Sequence, residues 1–165
     1  TVMGICGGFQ LMGQAVSDPM HVEGDIEQLP GLGLLPITTR MLGDKVTRQV
    51  KFRFLDSVNG CDGYEIHMGE TAAIDSVKES PLNFLQDGRK DGFYLNDKCF
   101  GTYIHGILDN SAVVDFLLKP YTDKLSDKPF DYKAYKEEQY DKLADHVRKH
   151  IDMQKVYELL TENGE

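Results

Sequence analysis

The sequence predicts an α/β domain with a mostly parallel sheet between helices, followed by a helical C-terminus. Three observations carry that expectation. Thr1-Val2-Met3-Gly4-Ile5 reads as the end of a buried strand that turns at Cys6 into a segment with helical spacing. Gly101-Thr102-Tyr103-Ile104-His105 reads as a later strand that carries a histidine to its C-terminal end. From Asp131 to about Leu160, apolar residues recur near helical spacing among charges.

Taken in order, Thr1 already lies inside a strand pattern, so the first strands of the domain are expected to precede it. After Cys6, the positions of Phe9, Met12 and Val16 predict a helix that Ser17-Asp18-Pro19 breaks. The glycines and Pro30 between Val22 and Leu35 predict a loop, and Ile37-Thr38-Thr39 a strand. Val46 to Phe54 and Gly63 to Gly69 are expected to be antiparallel neighbours. In the second run Tyr64, Ile66 and Met68 alternate with Glu65 and His67, which places Glu65 and His67 on one face. Asn96-Asp97-Lys98 is a hairpin connection between Phe93-Tyr94-Leu95 and Cys99-Phe100, with the second strand running on to His105. Asn110 or Ser111 caps a short helix stopped by Pro120, and one or two amphipathic helices follow a charged linker. The expected division is a main domain over 1–120 and a helical extension over 121–165 packed on it.

Composition narrows the function. A chain of 165 residues with 41% hydrophobic and 27% charged residues is ordinary for one globular core. No apolar run approaches the roughly 20 residues of a membrane span, and no signal peptide opens the sequence. A cytoplasmic protein with no membrane association is the expectation. A formal charge of −9, with 18 Lys and Arg scattered among acids, argues against nucleic acid as a partner. Three cysteines do not form a disulfide framework, and Cys61 and Cys99 lack metal-ligand spacing, so both are expected to be structural and no metal is predicted. His146 and His150, an i,i+4 pair without the glutamate of a zinc-protease motif, are expected on a solvated helix face.

The densest chemical signal is Gly4-Ile5-Cys6-Gly7-Gly8-Phe9-Gln10. A nucleophile at a strand-to-helix turn has a crowded backbone that small neighbours tolerate. The helix start directs free N–H groups and the positive end of its dipole toward the sulfur, which suits a nucleophilic Cys6. The N–H of Gly7 suits an oxyanion. A phosphate loop also sets glycines before a helix, but this one lacks the Lys-Ser/Thr pair. Cys6 alone is also compatible with a buried small hydrophobe. His105, between glycines at a strand end, is the candidate base, while a satisfied strand-end histidine is the plainer alternative.

Together these segments resemble the class I glutamine amidotransferase family, with Gly4, Cys6, Gly8, Gln10 and His105 matching its motifs. Gly4 to Gln10, Gly63-Tyr-Glu-Ile-His-Met-Gly69 and Gly101-Thr-Tyr-Ile-His-Gly106 are similar to the branch at the C-terminal end of cobyric acid synthases. Asp18-Pro19 and Tyr140-Asp141-Lys142-Leu143-Ala144-Asp145 look like that branch too, so the resemblance spans essentially the whole chain. It implies a flavodoxin-like three-layer sandwich truncated at its N-terminus, with C-terminal helices. It implies that glutamine is hydrolysed and its ammonia passed to an N-terminal synthetase domain of the same protein. That domain, absent here, would use ATP and magnesium to amidate a corrinoid, adenosylcobyrinic acid a,c-diamide. The nearest rival within the family is cobyrinic acid a,c-diamide synthase, and a catalytically silent interaction module is the rival from another class.

The broader class carries an acid two residues after its histidine, where this chain has Ile107. The cobyric acid synthase branch lacks that glutamate as well. Glu65 and Asp109 are the candidates by residue type to orient His105, His67 would reach the site with Glu65, and Gln10 would bind substrate. With the second oxyanion donor expected from the absent N-terminal portion, these 165 residues alone are expected to turn over glutamine weakly or not at all.

Overall fold

The computed structural model describes residues 1–58, 60–124 and 131–162, which fall into two compact units, Thr1–Leu125 and Ser126–Glu165. In the first unit, β1 (Val2–Ile5) ends at Cys6 and α1 (Gly7–Leu11) begins at once. The helix stops well before Val16, which lies instead in β2 (Ala15–Ser17). The cause is the segment that follows. The N–H groups of Leu32, Leu34 and Leu35 donate to the Leu11 and Met12 carbonyls, so the helix end is satisfied from outside and has no need of another turn. Phe9 and Met12 still face inward as their spacing requires.

The predicted loop at 22–35 contains a short edge strand, β3 (Gln28–Pro30), paired antiparallel with β2. The two strand-like runs expected between Ile37 and Phe54 are one long strand, β4 (Ile37–Phe54), interrupted by an irregularity between Met41 and Val46. It pairs antiparallel with β5 (Gly60–Ala73), as the alternation predicts. Beyond β6 (Asn83–Leu85) and β7 (Lys90–Asp91), β8 (Phe93–Asn96) and β9 (Cys99–Thr102) form the predicted hairpin.

The α/β class holds, with mixed sheets and helices, but among the described residues parallel pairing is confined to β1 with β9 and β2 with β4. The other strand pairs are antiparallel, in place of the mostly parallel sheet expected. Parallel neighbours need long crossovers. Here β4 leads into β5 through a turn starting at Leu55, and β8 into β9 through Asp97-Lys98, so each strand folds back on the last.

The strand expected to run from Gly101 to His105 changes sheets. β9 lies beside β1 in a three-stranded sheet of order β1-β9-β8. Tyr103 then bends the chain, and β10 (Ile104–His105) joins the edge of a seven-stranded sheet beside β5. The bend is held by a buried polar cluster. Asp91 Oδ1 accepts the Tyr103 N–H at 3.0 Å, and Oδ2 accepts the Asn83 amide at 2.9 Å and the Thr102 hydroxyl. Thr102 Oγ1 in turn accepts the Ile104 N–H at 2.9 Å. Burial pushes the Asp91 carboxyl up from its ordinary value, against the donors that pull it down.

Around that bend one core cluster gathers Phe52, Leu82, Phe100, Ile104, Ile107 and Val113, and a second gathers Phe9, Met12, Leu35, Ile37, Phe93 and Tyr103. Asn110 precedes α2 (Ser111–Leu118), yet its side chain is spent elsewhere: it accepts the Asp62 N–H and donates to the Asp62, Gly106 and Ile107 carbonyls. The second unit consists of α3 (Tyr132–His150), capped by the Asp131 carboxylate on the Ala134 N–H, and α4 (Met153–Glu162). Ile151 adopts an extended conformation, and the Asp152 carboxylate then meets the Lys155 N–H to start the next helix. His146 and His150 are exposed on α3, on the solvated face expected of them.

Replacing Asp91 with Ala leaves the Tyr103 N–H and the Asn83 and Thr102 donors without their buried acceptor. Asp91→Ala is expected to lower unfolding free energy by about 3 kcal/mol, read from urea denaturation.

Candidate active site

Cys6 is the residue between β1 and α1, with φ 53° and ψ −116°, a left-handed backbone that a side-chain-bearing residue adopts only under constraint. The constraint comes from both sides. Its N–H donates to the Thr102 carbonyl at 2.9 Å, while its carbonyl accepts the Gln10 N–H at 3.1 Å to close the first helical turn. Gly4 is compulsory, because a Cβ there would fall 2.7 Å from Phe9 Cα and 2.8 Å from the Gly8 carbonyl. Gly7 and Gly8 are different. A Cβ at either would face open space, with no more distant part of the chain within 4 Å.

The sulfur opens on a cavity of about 620 Å³, lined on one side by Cys6, Gly7, Gln10, Ile66, His67 and Met68. Its other wall comes from the segment Asp18 to Leu29 with Met41 and Lys45. Asp18 pins that segment by accepting the Val22 and Glu23 N–H groups at 2.8 Å each, bonds that hold its carboxyl below the usual carboxylate range. The volume suits a small metabolite.

Gln10 is anchored from behind. Its Nε2 lies 3.3 Å from Tyr103 Oη, and that hydroxyl lies 2.6 Å from Thr71 Oγ1. Burial pushes the Tyr103 hydroxyl up, and the nearby Cys6 adds to the effect. Gly69 permits the approach, since a Cβ would fall 2.3 Å from Gln10 Nε2.

On β5 the polar and apolar faces are reversed from the usual order. Glu65 is only 3% exposed, whereas Tyr64 and Ile66 are exposed. The Glu65 carboxylate receives Arg89 Nη1 at 3.0 and 3.1 Å, with Arg48 Nε at 3.3 Å and His67 Nε2 at 3.8 Å. Burial, the largest influence, would raise its pKa. The nearby His67 ring and the hydrogen bonds from Arg89, with the charges of Arg89 and Arg48, outweigh it and hold the carboxyl below its ordinary value. His67 places Nδ1 2.9 Å from the Gly69 carbonyl and stacks on the Tyr103 ring at 3.9 Å. Glu65 and His67 therefore share a face, as expected, and His67 reaches the cavity.

His105 pairs with Tyr64, and Ile104 with Glu65, in the β10–β5 register. Directly opposed residues project to the same face of a sheet, so Glu65 points away from the face that carries His105. Glu65 is thus not the group that orients the imidazole, contrary to one expectation. Asp109 follows in the turn after His105, with Oδ2 4.0 Å from where a Gly106 Cβ would be. The His105 Nε2 is buried without a partner, and the Cys6 thiol is turned to the Ile66 carbonyl at 3.4 Å. Both residues therefore abut β5, two positions apart at Tyr64 and Ile66, roughly 7 Å along the strand. The thiol and the imidazole are not hydrogen-bonded in this state, and such bonds commonly tighten only with substrate present.

Residues 1–113 match the CobB/CobQ-like glutamine amidotransferase domain. The chain belongs to that family. Cobyric acid synthases of Bacteroides fragilis and Phocaeicola vulgatus are 64% and 58% identical to this amidotransferase domain, each over 99% of the chain and 33% of the relative. A cobyric acid synthase of Clostridium novyi is 39% identical over 98% of the chain and 34% of the relative. The chain thus spans about one third of the length of the curated relatives it matches.

Sequence reasoning overlooked Arg48, Arg89 and Asp91 of the amidotransferase domain. No local pattern marks the two arginines, whose carboxylate lies far along the chain. For Asp91 the signal was Asp91-Gly92, a turn dipeptide ahead of the hairpin. Cys61 lies in the core, and Cys99, its thiol raised by burial, meets the Leu34 carbonyl at 3.7 Å.

A carboxyl depressed by folding stabilises the protein above its unfolded pKa, and that contribution disappears as pH falls through the folded value. Glu65→Gln is therefore expected to cost about 2 kcal/mol near neutral pH, with the arginines partly solvated. The difference from the parent protein should shrink progressively below pH 4.5, the ordinary glutamate value. Urea titrations across pH measure both.

Proposed function

We propose that this chain is the glutamine-hydrolysing domain of a cobyric acid synthase. The observation that carries the reading is Cys6 itself, held at a left-handed strand-to-helix turn on the wall of a cavity it shares with Gln10. The high identity to cobyric acid synthases along nearly the whole chain supports the choice over cobyrinic acid a,c-diamide synthase.

In the proposed reaction, His105 takes the Cys6 proton and the sulfur attacks the side-chain carboxamide carbon of glutamine. The Gly7 N–H stabilises the resulting oxyanion. As the tetrahedral intermediate collapses, the C–N bond breaks, His105 returns the proton to the nitrogen, and ammonia leaves a thioester on Cys6. Water, activated by the same imidazole, attacks the thioester, releasing glutamate and restoring the thiol. Gln10 holds the substrate's polar groups, with Tyr103 fixing its amide.

Ammonia then passes to a synthetase portion of the same protein, which amidates carboxylates of a corrinoid, adenosylcobyrinic acid a,c-diamide. ATP and magnesium belong to that portion. The glycine turn at Cys6 lacks the lysine and hydroxyl of a phosphate loop, so it does not fit a nucleotide and no step in this chain runs through one.

In the full-length protein, a glutamine-derived electrophile is expected to label the parent and Cys61→Ala but not Cys6→Ala. His105→Ala should lower glutamine-dependent synthesis at least about 100-fold while synthesis from free ammonia persists. Wild-type glutamine use by His105→Ala would remove the proposed base.

A further inference from the structure

A histidine that moves protons must present its nitrogens along a fixed direction, and in many hydrolytic triads a carboxylate fixes the ring. Here the place where the broader family pattern carries that acid is Ile107, which is 0% exposed and packed in the core cluster with Phe52, Phe100 and Val113. Its side chain secures the turn after His105 to the core and offers the imidazole no charge. Glu65 lies on the other face, occupied by two arginines and His67. The His105 Nε2 has no hydrogen-bond partner that would hold the ring.

Against the imidazole lies an aromatic plate. Tyr64 is the direct antiparallel partner of His105, so the two side chains rise together from one face. Their rings lie 5.2 Å apart between centroids and within 9° of parallel, the geometry of an offset stack. Gly106 follows at φ 69°, a left-handed conformation that ends β10 directly after the imidazole. A Cβ at Gly106 would sit 3.7 Å from the Tyr64 ring, so the turn closes against the same plate. Tyr64 itself is 39% exposed and belongs to neither core cluster, so its ring packs on the imidazole from outside the core.

From this geometry we infer that Tyr64 is the positioning residue of the glutaminase site, fixing the plane of the His105 ring by stacking where a triad carboxylate is missing. The inference rests on the glutaminase reading above. The flat ring is the active feature and the hydroxyl is dispensable. Stacking sets the plane in which the ring nitrogens point, and leaves the tautomer to other groups. Because Tyr64 does not line the cavity that holds Cys6 and Gln10, its loss acts on turnover and leaves glutamine binding alone.

The test is steady-state glutamate release by the full-length protein in six forms: parent, Tyr64→Phe, Tyr64→Leu, Asp109→Asn, Cys6→Ala and His105→Ala. Thermal melting is followed alongside. Tyr64→Phe should stay within about twofold of the parent, and Tyr64→Leu should lose roughly tenfold in kcat at unchanged KM and melting temperature, a tenfold rate change being 1.36 kcal/mol. If Tyr64→Leu turns over like the parent, the inference is overturned. The same holds if Tyr64→Phe falls as far as Tyr64→Leu, or if Asp109→Asn loses activity while Tyr64→Leu keeps it. Those results are separable from failure of the glutaminase reading, in which Cys6→Ala and His105→Ala would themselves hydrolyse glutamine normally.

Discussion

The buried carboxylate of Asp91 is the constraint on which the site depends. Two strands, β1 and β9, run side by side in the same direction, and at their shared end one chain must turn into a helix while the other crosses to a different sheet. A chain that leaves a sheet abandons its backbone hydrogen bonds, and in a closed interior each abandoned group costs free energy. Asp91, with Asn83 and Thr102, replaces the lost partners of Tyr103 and Ile104. Because the bend is satisfied, Thr102 can offer its carbonyl to Cys6, and His105 emerges next to the same strand that meets the sulfur.

Around this bend, tolerance for close approach comes from missing side chains. Gly4 makes room for Phe9 and the helix backbone behind the cysteine, and Gly69 lets Gln10 and the Tyr103 hydroxyl that anchors it approach the strand. Behind the wall residues His67 and Gln10 runs a continuous chain of contacts: Arg48 and Arg89 on Glu65, His67 beside it, the Tyr103 ring stacked on His67, and Gln10 beyond. Each member touches the next, and the chain ends at Gln10, which lines the same cavity as Cys6.

Much of this was legible in the sequence, for identifiable reasons. The glycine-flanked cysteine, the histidine at a strand end, the hairpin at Asn96 to Lys98 and the two terminal helices all rest on local patterns, and local patterns survive folding. The failures involve distant partners. Val16 fits a helix by spacing, but carbonyls of the preceding turn are claimed by Leu32, Leu34 and Leu35. The alternation of Tyr64 to Met68 gives the faces of β5 correctly as a grouping. It says nothing about which face is buried, because that depends on two arginines from other elements. The change of sheet at Tyr103 was invisible for the same reason: Asp91 acts on it from outside the segment.

The inverted face of β5 also determines how its pairing is policed. In most half-buried strands a slip by one residue is punished because greasy side chains are thrown into water. In the stretch of β5 opposite Val46 to Gln49, the same slip would carry Glu65 outward and leave Tyr64 or Ile66 facing the guanidinium groups. Alignment of the ribbon there is enforced by charge, and the alignment is what delivers Tyr64 to His105 and the Ile66 carbonyl to Cys6. An ionic lock placed away from the reacting atoms thereby sets the phase of the strand against which both of them rest.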